Sequence, residues 1–323
     1  MHALVPLKHE LAVARETLAK HLPWSPLDYV PGISRDADRA MYAEQLTAPL
    51  SEEDDLRFRG ALPEGEPLAV FAQRLPWDTQ FFGYGVARLD GVFPLTPPLH
   101  RLADDYTEAV AHLCETARSR GIQYLFAQVD PRDLALLRAL GRVGFTLLET
   151  RLHYHFSVQV VHYLRRPDHV PMSWSQFRLA THEDIPSLSR VAREAVNPYD
   201  RFHADPFIRR SDVDRLMEEW VKQSVLGNFA DLTVVPDVRE PTAFITYRLH
   251  KKHWARWGLN LVQVVFSAVS PEMMGWFTVV GPELNNHLSS LGAQHCFGKT
   301  QMVLGLDGVT QFGKGEHVFR IIL

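Results

Sequence analysis

Between residues 201 and 206 the chain reads Arg201-Phe202-His203-Ala204-Asp205-Pro206, which places a cation, a ring, an imidazole and a carboxylate side by side. Arg201 can grip a carboxylate or phosphate through two parallel N–H donors. His203 carries an imidazole that can take a proton from an attacking amine. An N-cap with a salt bridge uses the same residue types, so the residues leave both readings open. A second cluster, His250-Lys251-Lys252-His253-Trp254-Ala255-Arg256-Trp257, joins three fixed cations to two histidines and two tryptophans. Cations neutralise phosphate and tryptophans stack on bases; a solvated turn with Trp anchors has the same composition. Tyr247, on the strand before it, faces either a reacting centre or the core. Trp77, Phe81 and Phe82 form either a stacking wall or part of the core.

Other groups carry less chemistry. His295 precedes Cys296, the pair of a Cys–His nucleophile, but that stretch is apolar and free cysteine packs there as a small hydrophobe. A buried structural thiol is expected. The sixteen histidines include no HExxH and no paired metal spacing, so no metal is expected. Cys114 and Cys296 form no CxxC pair, and free thiols in a reducing cytosol are the simple reading.

The elements that position these residues come from a chain of 323 residues, about two domains at roughly 150 residues each. Apolar residues make up 46% and charged residues 22%, which argues against a coiled coil, a collagen or a mainly disordered chain. Lys plus Arg is 34 and Asp plus Glu is 38, a net charge of −4, which supports no general nucleic-acid coat. Lys8, Glu10, Arg15 and Glu16 interrupt the start of the chain, so it lacks the apolar run of a signal peptide. The most apolar stretch, 261–269, contains Gln263 and Ser267 and is too short to span a bilayer. A cytoplasmic protein without membrane contact is expected.

Apolar spacing predicts a helix over 3–22, and the acidic, Pro- and Gly-bearing stretch 51–66 reads as a linker. Strands are expected at 68–74, 84–89, 122–129 and 146–158, with helices at 102–118 and from Asp130-Pro131 to about 140. A boundary is placed at 167–175. Beyond it the order predicted is a strand at 175–179, helices at 185–194 and 211–226, and strands at 232–236, 243–249 and 259–269. A helix at 278–291, a strand at 294–299, a weak helix at 302–312 and a strand at 316–322 complete it. Thr181 is placed to cap the first of these helices, with Glu183 and Asp184 in its first turn. Residues 250–258 read as a hairpin connection.

Three stretches then carry a resemblance. Leu75-Pro76-Trp77-Asp78-Thr79-Gln80-Phe81-Phe82-Gly83 is similar to a Trp-Asp-x-x-Phe-Phe-Gly segment. Residues 182–186, 200–206 and 219–220 are similar to acceptor-side helices. Lys299-Thr300-Gln301 is similar to a Gly-Thr-Gln that ends a strand. Together, over roughly 70–323, they resemble the GNAT superfamily of acyl-CoA-dependent N-acyltransferases, and within it the TDP-fucosamine acetyltransferase-like proteins.

The resemblance implies an α/β (α+β mixed sheet) architecture. Residues 1–67 would be a helical extension and linker, 68–166 a partial GNAT-like unit and 167–323 a complete GNAT domain. It implies acetyl-CoA or another acyl-CoA as co-substrate, held near Val269, Gly275, Trp276, Phe277 and Thr278, whose amides would face the pyrophosphate. Amides of 264–269 would meet the tetrahedral oxyanion. The acceptor, an amine on a small polar metabolite, would meet Trp77, Phe81, Phe82, Arg201, Phe202, Asp205 and Trp254. His203, His250 or Tyr247 would handle protons.

The chain departs from the family pattern twice. Met274 and Phe277 replace the usual Arg and second Gly of the phosphate loop, with Glu272 beside them. Gln311 occupies the slot of the Tyr general acid. Backbone amides alone can still hold CoA. Two further readings follow from these departures: a transferase using aminoacyl-tRNA or a carrier-protein thioester, and a degenerate GNAT kept as a binding or scaffold protein.

Overall fold

The computed structural model describes residues 5–99, 104–158, 176–301 and 311–323. In chain order the elements are β1 (Val5–Pro6), α1 (Leu11–His21), α2 (Arg35–Leu46), β2 (Phe58–Ala61), β3 (Pro67–Arg74), α3 (Pro76–Phe82), β4 (Gly85–Pro94), α4 (Thr107–Ser119), β5 (Ile122–Val129), α5 (Leu134–Val143) and β6 (Thr146–Ser157). There follow β7 (Phe177–Leu179), α6 (Ile185–Glu194), α7 (Arg201–Ala204), α8 (Arg210–Val225), β8 (Leu232–Pro236), β9 (Ala243–Arg248), α9 (Lys251–Trp257), β10 (Leu261–Val269), α10 (Trp276–Ser290), β11 (His295–Gln301) and β12 (Gln311–Ile322).

The chain divides into two units, Met1–Leu152 with Lys314–Leu323, and His153–Gly313. In the first, the strand order is β1-β2-β3-β4-β5-β12. All neighbours are antiparallel except β4 and β5, which are joined through α4. Its core gathers Val70, Leu89, Val110, Leu113, Leu125, Leu136 and Leu140. A second cluster seats α1 and α2 through Leu18, Ala43 and Phe71. An ion pair of Arg57 and Asp55 is buried beside them, and Arg57 also donates to the carbonyls of Leu46 and Ala48.

Several expectations change here. The predicted linker contains β2, because Phe58 to Ala61 pairs with Val70 to Pro67 and buries Phe58. Asp133, whose carboxylate accepts the Leu136 N–H at 3.1 Å, caps α5 in place of Asp130, and Pro131 lies outside the helix. The last strand is longer than predicted and pairs with β5, so Val318 and Phe319 serve the first unit. The boundary at 167–175 and residues 302–310 of the weak helix lie outside the described residues. Gln311 and Phe312 of that expected helix are in β12.

In the second unit the order β7-β8-β9-β10-β11 is antiparallel up to β10 and parallel between β10 and β11, with the end of β6 beside β11. A parallel neighbour needs a crossover, and α10 supplies it. Trp276, Val280, Leu284 and Leu288 of α10 pack on Val262, Tyr247 and Cys296 of one sheet face. Trp220 of α8 meets Phe266, which meets Phe244, on the other.

The entrance to α6 is fixed by charge. Thr181 and Asp184 form a capping box, and Arg178 of β7 grips both Asp184 oxygens at 2.7 Å. Asp184 is almost fully buried, and the Arg178 hydrogen bonds hold its carboxyl below the usual carboxylate range. The stabilising form is therefore the ionised one. Its contribution is complete above about pH 4 and drains as pH falls through the lower folded value. Asp184→Asn is expected to cost about 1.5–3 kcal/mol at pH 7 and to flatten this part of the acid limb. Urea midpoints measured at pH 7 and at about pH 2.5 check it; a mutant that tracks the wild type at both would refute the role.

Candidate active site at the parting of two strands

The β10 and β11 ladder is short. Leu261, Val262 and Gln263 pair with His295, Cys296 and Phe297, and pairing stops there although β10 runs on to Val269 and β11 to Gln301. The cause lies partly in β10. Its register against β9 slips between Val264 and Phe266, so Val265 is an extra residue. A bulge of this kind bends a strand and resets its alternation. Val264 accordingly joins the cluster under α10 while Phe266 turns to Trp220 of α8. Thr246, fully buried, locks the bulge: its hydroxyl accepts the Phe266 N–H at 2.9 Å and donates to the Phe266 carbonyl at 3.0 Å.

The amides of β10 divide between its two neighbours. Val264 N–H turns to the Cys296 sulfur. Phe266 N–H is held by Thr246, and Ser270 N–H bonds the Thr242 carbonyl at 2.9 Å on the β9 side. Strand alternation then directs the Ser267 and Val269 N–H groups into the gap that β11 has left.

The last rung is stapled from one face. His250 donates from Nε2 to Gln263 Oε1 at 2.8 Å and stacks on Phe297 with ring centroids 5.8 Å apart. Burial pushes its pKa down, which keeps the ring neutral. It sits at φ 50°, the left-handed region, where it turns the chain into α9. The expected hairpin at 250–258 is thus a helix. Its basic residues Lys251 and Lys252 are exposed, Trp257 is buried, and Trp254 Nε1 donates to the Leu261 carbonyl at 2.9 Å. Trp254 fastens α9 to β10. Tyr247 is 4% exposed within the cluster under α10, and burial raises its pKa well above the ordinary phenol value, so it is a neutral phenol.

At the open end stands the start of α10. Gly275, at φ 93°, caps it, with open space where a Cβ would be. The Thr278 and Val279 N–H groups turn back to the Gly275 carbonyl, and the amides ahead of them belong to a first helical turn that has no intrahelical partner. Trp276 does not crowd this end. Its ring is fully buried among Val262, Val280 and Cys296, with Phe277 half-buried against it. Met274, 68% exposed, and Glu272, whose carboxyl is lowered by the Ser270 hydroxyl, are the outward side chains. Thr278 is exposed.

On the α8 side, the expected 201–206 loop is in part the short helix α7, which Asp200 caps. One carboxylate oxygen accepts the Phe202 and His203 N–H groups, and the other meets His203 Nδ1 at 2.6 Å. In the neutral ring, an Nδ1 that donates to the carboxylate leaves the lone pair on Nε2. Arg201 lies 4.2 Å over the Phe202 ring. Asp205 is buried and caps Phe207 N–H at 3.0 Å. Phe202 meets Trp220 edge-on, and Trp220 meets Phe266 at the bulge, so a chain of rings ties the loop to the parted strands.

The structure thus brings Val269, Tyr247, His250 and Trp254 to β10, and links the 201–206 loop to it. Trp77, Phe81 and Phe82 belong to the first unit, on α3; Trp77 stacks on Phe81 at 5.2 Å, and none of the three is buried. Sequence reasoning missed Gln263 and Thr246, which have no motif. Asp200 had one, an Asp three residues before the imidazole it orients. Among the described residues no group of three His, Cys, Asp or Glu could hold a metal ion, and no helix is long and apolar enough to cross a membrane. Both cysteines are buried free thiols.

Thr246→Val keeps the shape but leaves the buried Phe266 N–H without its hydroxyl. A loss of about 1–3 kcal/mol in urea unfolding is expected; an unchanged midpoint would show that the bulge does not depend on that hydroxyl.

No family model and no curated protein matches the chain. Solved structures do. The chain is similar to a GCN5-related N-acetyltransferase from Sphaerobacter thermophilus at 10% identity, covering 99% of this chain and 95% of that one with a TM-score of 0.57. It is similar to a tandem GNAT protein from the clavulanic acid biosynthesis pathway at 12% identity, covering 99% and 98% with a TM-score of 0.50. A glucosamine N-acetyltransferase region in a fungal multi-domain GH3 β-N-acetylglucosaminidase matches at 11% identity, covering 99% of this chain and 38% of that one with a TM-score of 0.56. With its bulged β10 parting from β11 and α10 crossing between them, the chain has the GNAT fold.

Proposed function

We propose that the protein is an N-acyltransferase that moves an acyl group from acyl-CoA, acetyl-CoA in the simplest case, to the amine of a small polar acceptor. The observation that carries this reading is the end of the β10–β11 ladder at Gln263 and Phe297. Beyond it, the Ser267 and Val269 amides face a gap whose open end meets the first turn of α10.

The residues fit an acyl-CoA by backbone more than by side chain. The α10 amides after Gly275 offer N–H donors and the positive end of a helix to a pyrophosphate. Glu272 opposes the same charge, so the grip is weaker than a cationic loop would give. The Ser267 and Val269 amides are placed to bind the pantetheine arm and the thioester oxygen; a donor already aimed at that oxygen stabilises charge as it develops there. His203, oriented by Asp200, takes the proton of the attacking amine through Nε2. Arg201 orients a polar acceptor, and Trp220 and Phe266 lie between α7 and the strands. The fungal structure whose description names glucosamine makes amino sugars the first acceptors to try.

A carrier-protein thioester as donor is a second reading. Exposed Lys251 and Lys252 on α9, together with the uncharged-to-acidic phosphate loop, favour it. The near-neutral net charge of −4 gives no comparable support to tRNA.

Calorimetric titration decides between donors. Acetyl-CoA is expected to bind with a micromolar Kd, and Glu272→Gln to tighten it roughly two- to fivefold at low salt, an effect that 0.5 M salt should largely erase. Absence of any binding heat would end the CoA reading. With glucosamine as acceptor, His203→Ala is expected to lower turnover by about 100-fold or more while leaving acetyl-CoA binding intact; full turnover in that variant would remove His203 from the chemistry.

A further inference from the structure

We infer that Tyr154 sets the length of the acyl chain the protein accepts, by closing the blind end of the gap between β10 and β11 with its ring. This rests on the acyl-CoA reading above and goes beyond it to the choice of acyl group.

The open end of the gap lies at Val269 and the start of α10; its closed end is the Gln263–Phe297 rung. A donor with its phosphates at α10 must run its arm back along β10. Five residue steps from Val269 to Val264 measure about 17 Å. The acyl group, at the tip of that arm, arrives at the residues just past the rung.

Gly298 is the first β11 residue past the rung. A Cβ built on it would lie 2.5 Å from Tyr154 Oη and 2.6 Å from Cζ. A side chain at 298 would have to push the ring aside, so the β6 phenol rests on β11 backbone in space that the glycine leaves open. Strand alternation puts Cys296 and Gly298 on one face, the face under α10. There the Cys296 sulfur takes the Val264 N–H, and the buried Tyr247 stands opposite Val264 in the β9 register. Tyr154, Tyr247 and Cys296 are near enough to one another to interact electrostatically. Burial raises both phenols and the thiol, so all three are neutral. The blind end is therefore a small, uncharged stop made of two rings and a sulfur. Tyr247 and Cys296 are packed into the core. Tyr154 alone is half-buried and rests on a residue without a side chain.

The wedge should consequently take acetyl and refuse long chains. The test is calorimetric binding of acetyl-CoA, butyryl-CoA and hexanoyl-CoA to the full chain and to Tyr154→Phe, Tyr154→Leu and Tyr154→Ala, with thermal melts as a check on folding. Wild type and Tyr154→Phe are expected to bind acetyl-CoA at least about tenfold more tightly than hexanoyl-CoA. Tyr154→Ala should gain about tenfold for hexanoyl-CoA, because removing the ring lets the added methylenes leave water. Its acetyl-CoA Kd should stay within about threefold of wild type, since acetyl does not reach the vacated space. Tyr154→Leu should fall between, and it carries the test if Tyr154→Ala does not fold. If wild type binds hexanoyl-CoA as well as acetyl-CoA, or the smaller variants keep the wild-type profile, this inference falls and the acyl-CoA reading stands. If wild type binds none of the three, both fall.

Discussion

The candidate site depends on one rung. Gln263 and Phe297 are the last paired residues of β10 and β11, and His250 holds both, one by hydrogen bond and the other by stacking. Two parallel strands gain by continuing their ladder, since each further rung satisfies backbone groups that otherwise need water or a ligand. Stopping the ladder needs a cause. On β10 it is the extra residue Val265, which rotates the following amides. The staple keeps the strands together up to the rung, and the bulge keeps them apart beyond it.

The bulge also decides what each face of the sheet presents. Before it, Val262 and Val264 serve the cluster under α10; after it, Phe266 serves α8. That single reset lets one strand carry a buried core on one side and the ring chain Phe266, Trp220 and Phe202 on the other. The Asp200–His203 pair rides on this chain, so its position follows from apolar packing rather than from a flexible loop. Thr246 completes the device by satisfying Phe266, whose backbone groups the bulge would otherwise leave exposed in a buried place.

The start of α10 shows how a binding loop can lose its side-chain charges and keep its backbone. Gly275 retains the left-handed turn, and Trp276 leaves the loop for the core. Helix dipole and free amides act whatever side chains flank them. What has changed is the local field, now set by Glu272 without a compensating cation among residues 270–278.

The sequence by itself determined the alternation of elements, most strand and helix positions in the second half, the cap at Thr181, and the burial of Cys296. Each of these is local: periodicity, cap chemistry and apolar content are written within a few residues. It also set Asp200 three residues before His203, the spacing at which one carboxylate caps α7 and meets the ring. Tertiary structure alone decided the rest. Residues 250–257 look like a charged turn until Trp254 finds the Leu261 carbonyl and makes them a helix. Phe58 to Ala61 looks like a linker until β3 lies beside it. His250 looks like a base until Gln263, thirteen residues on, takes its Nε2. Tyr154 and Gly298 are ordinary letters 144 positions apart, and only the sheet, which sets β6 against β11, makes the absence of one side chain the seat of the other.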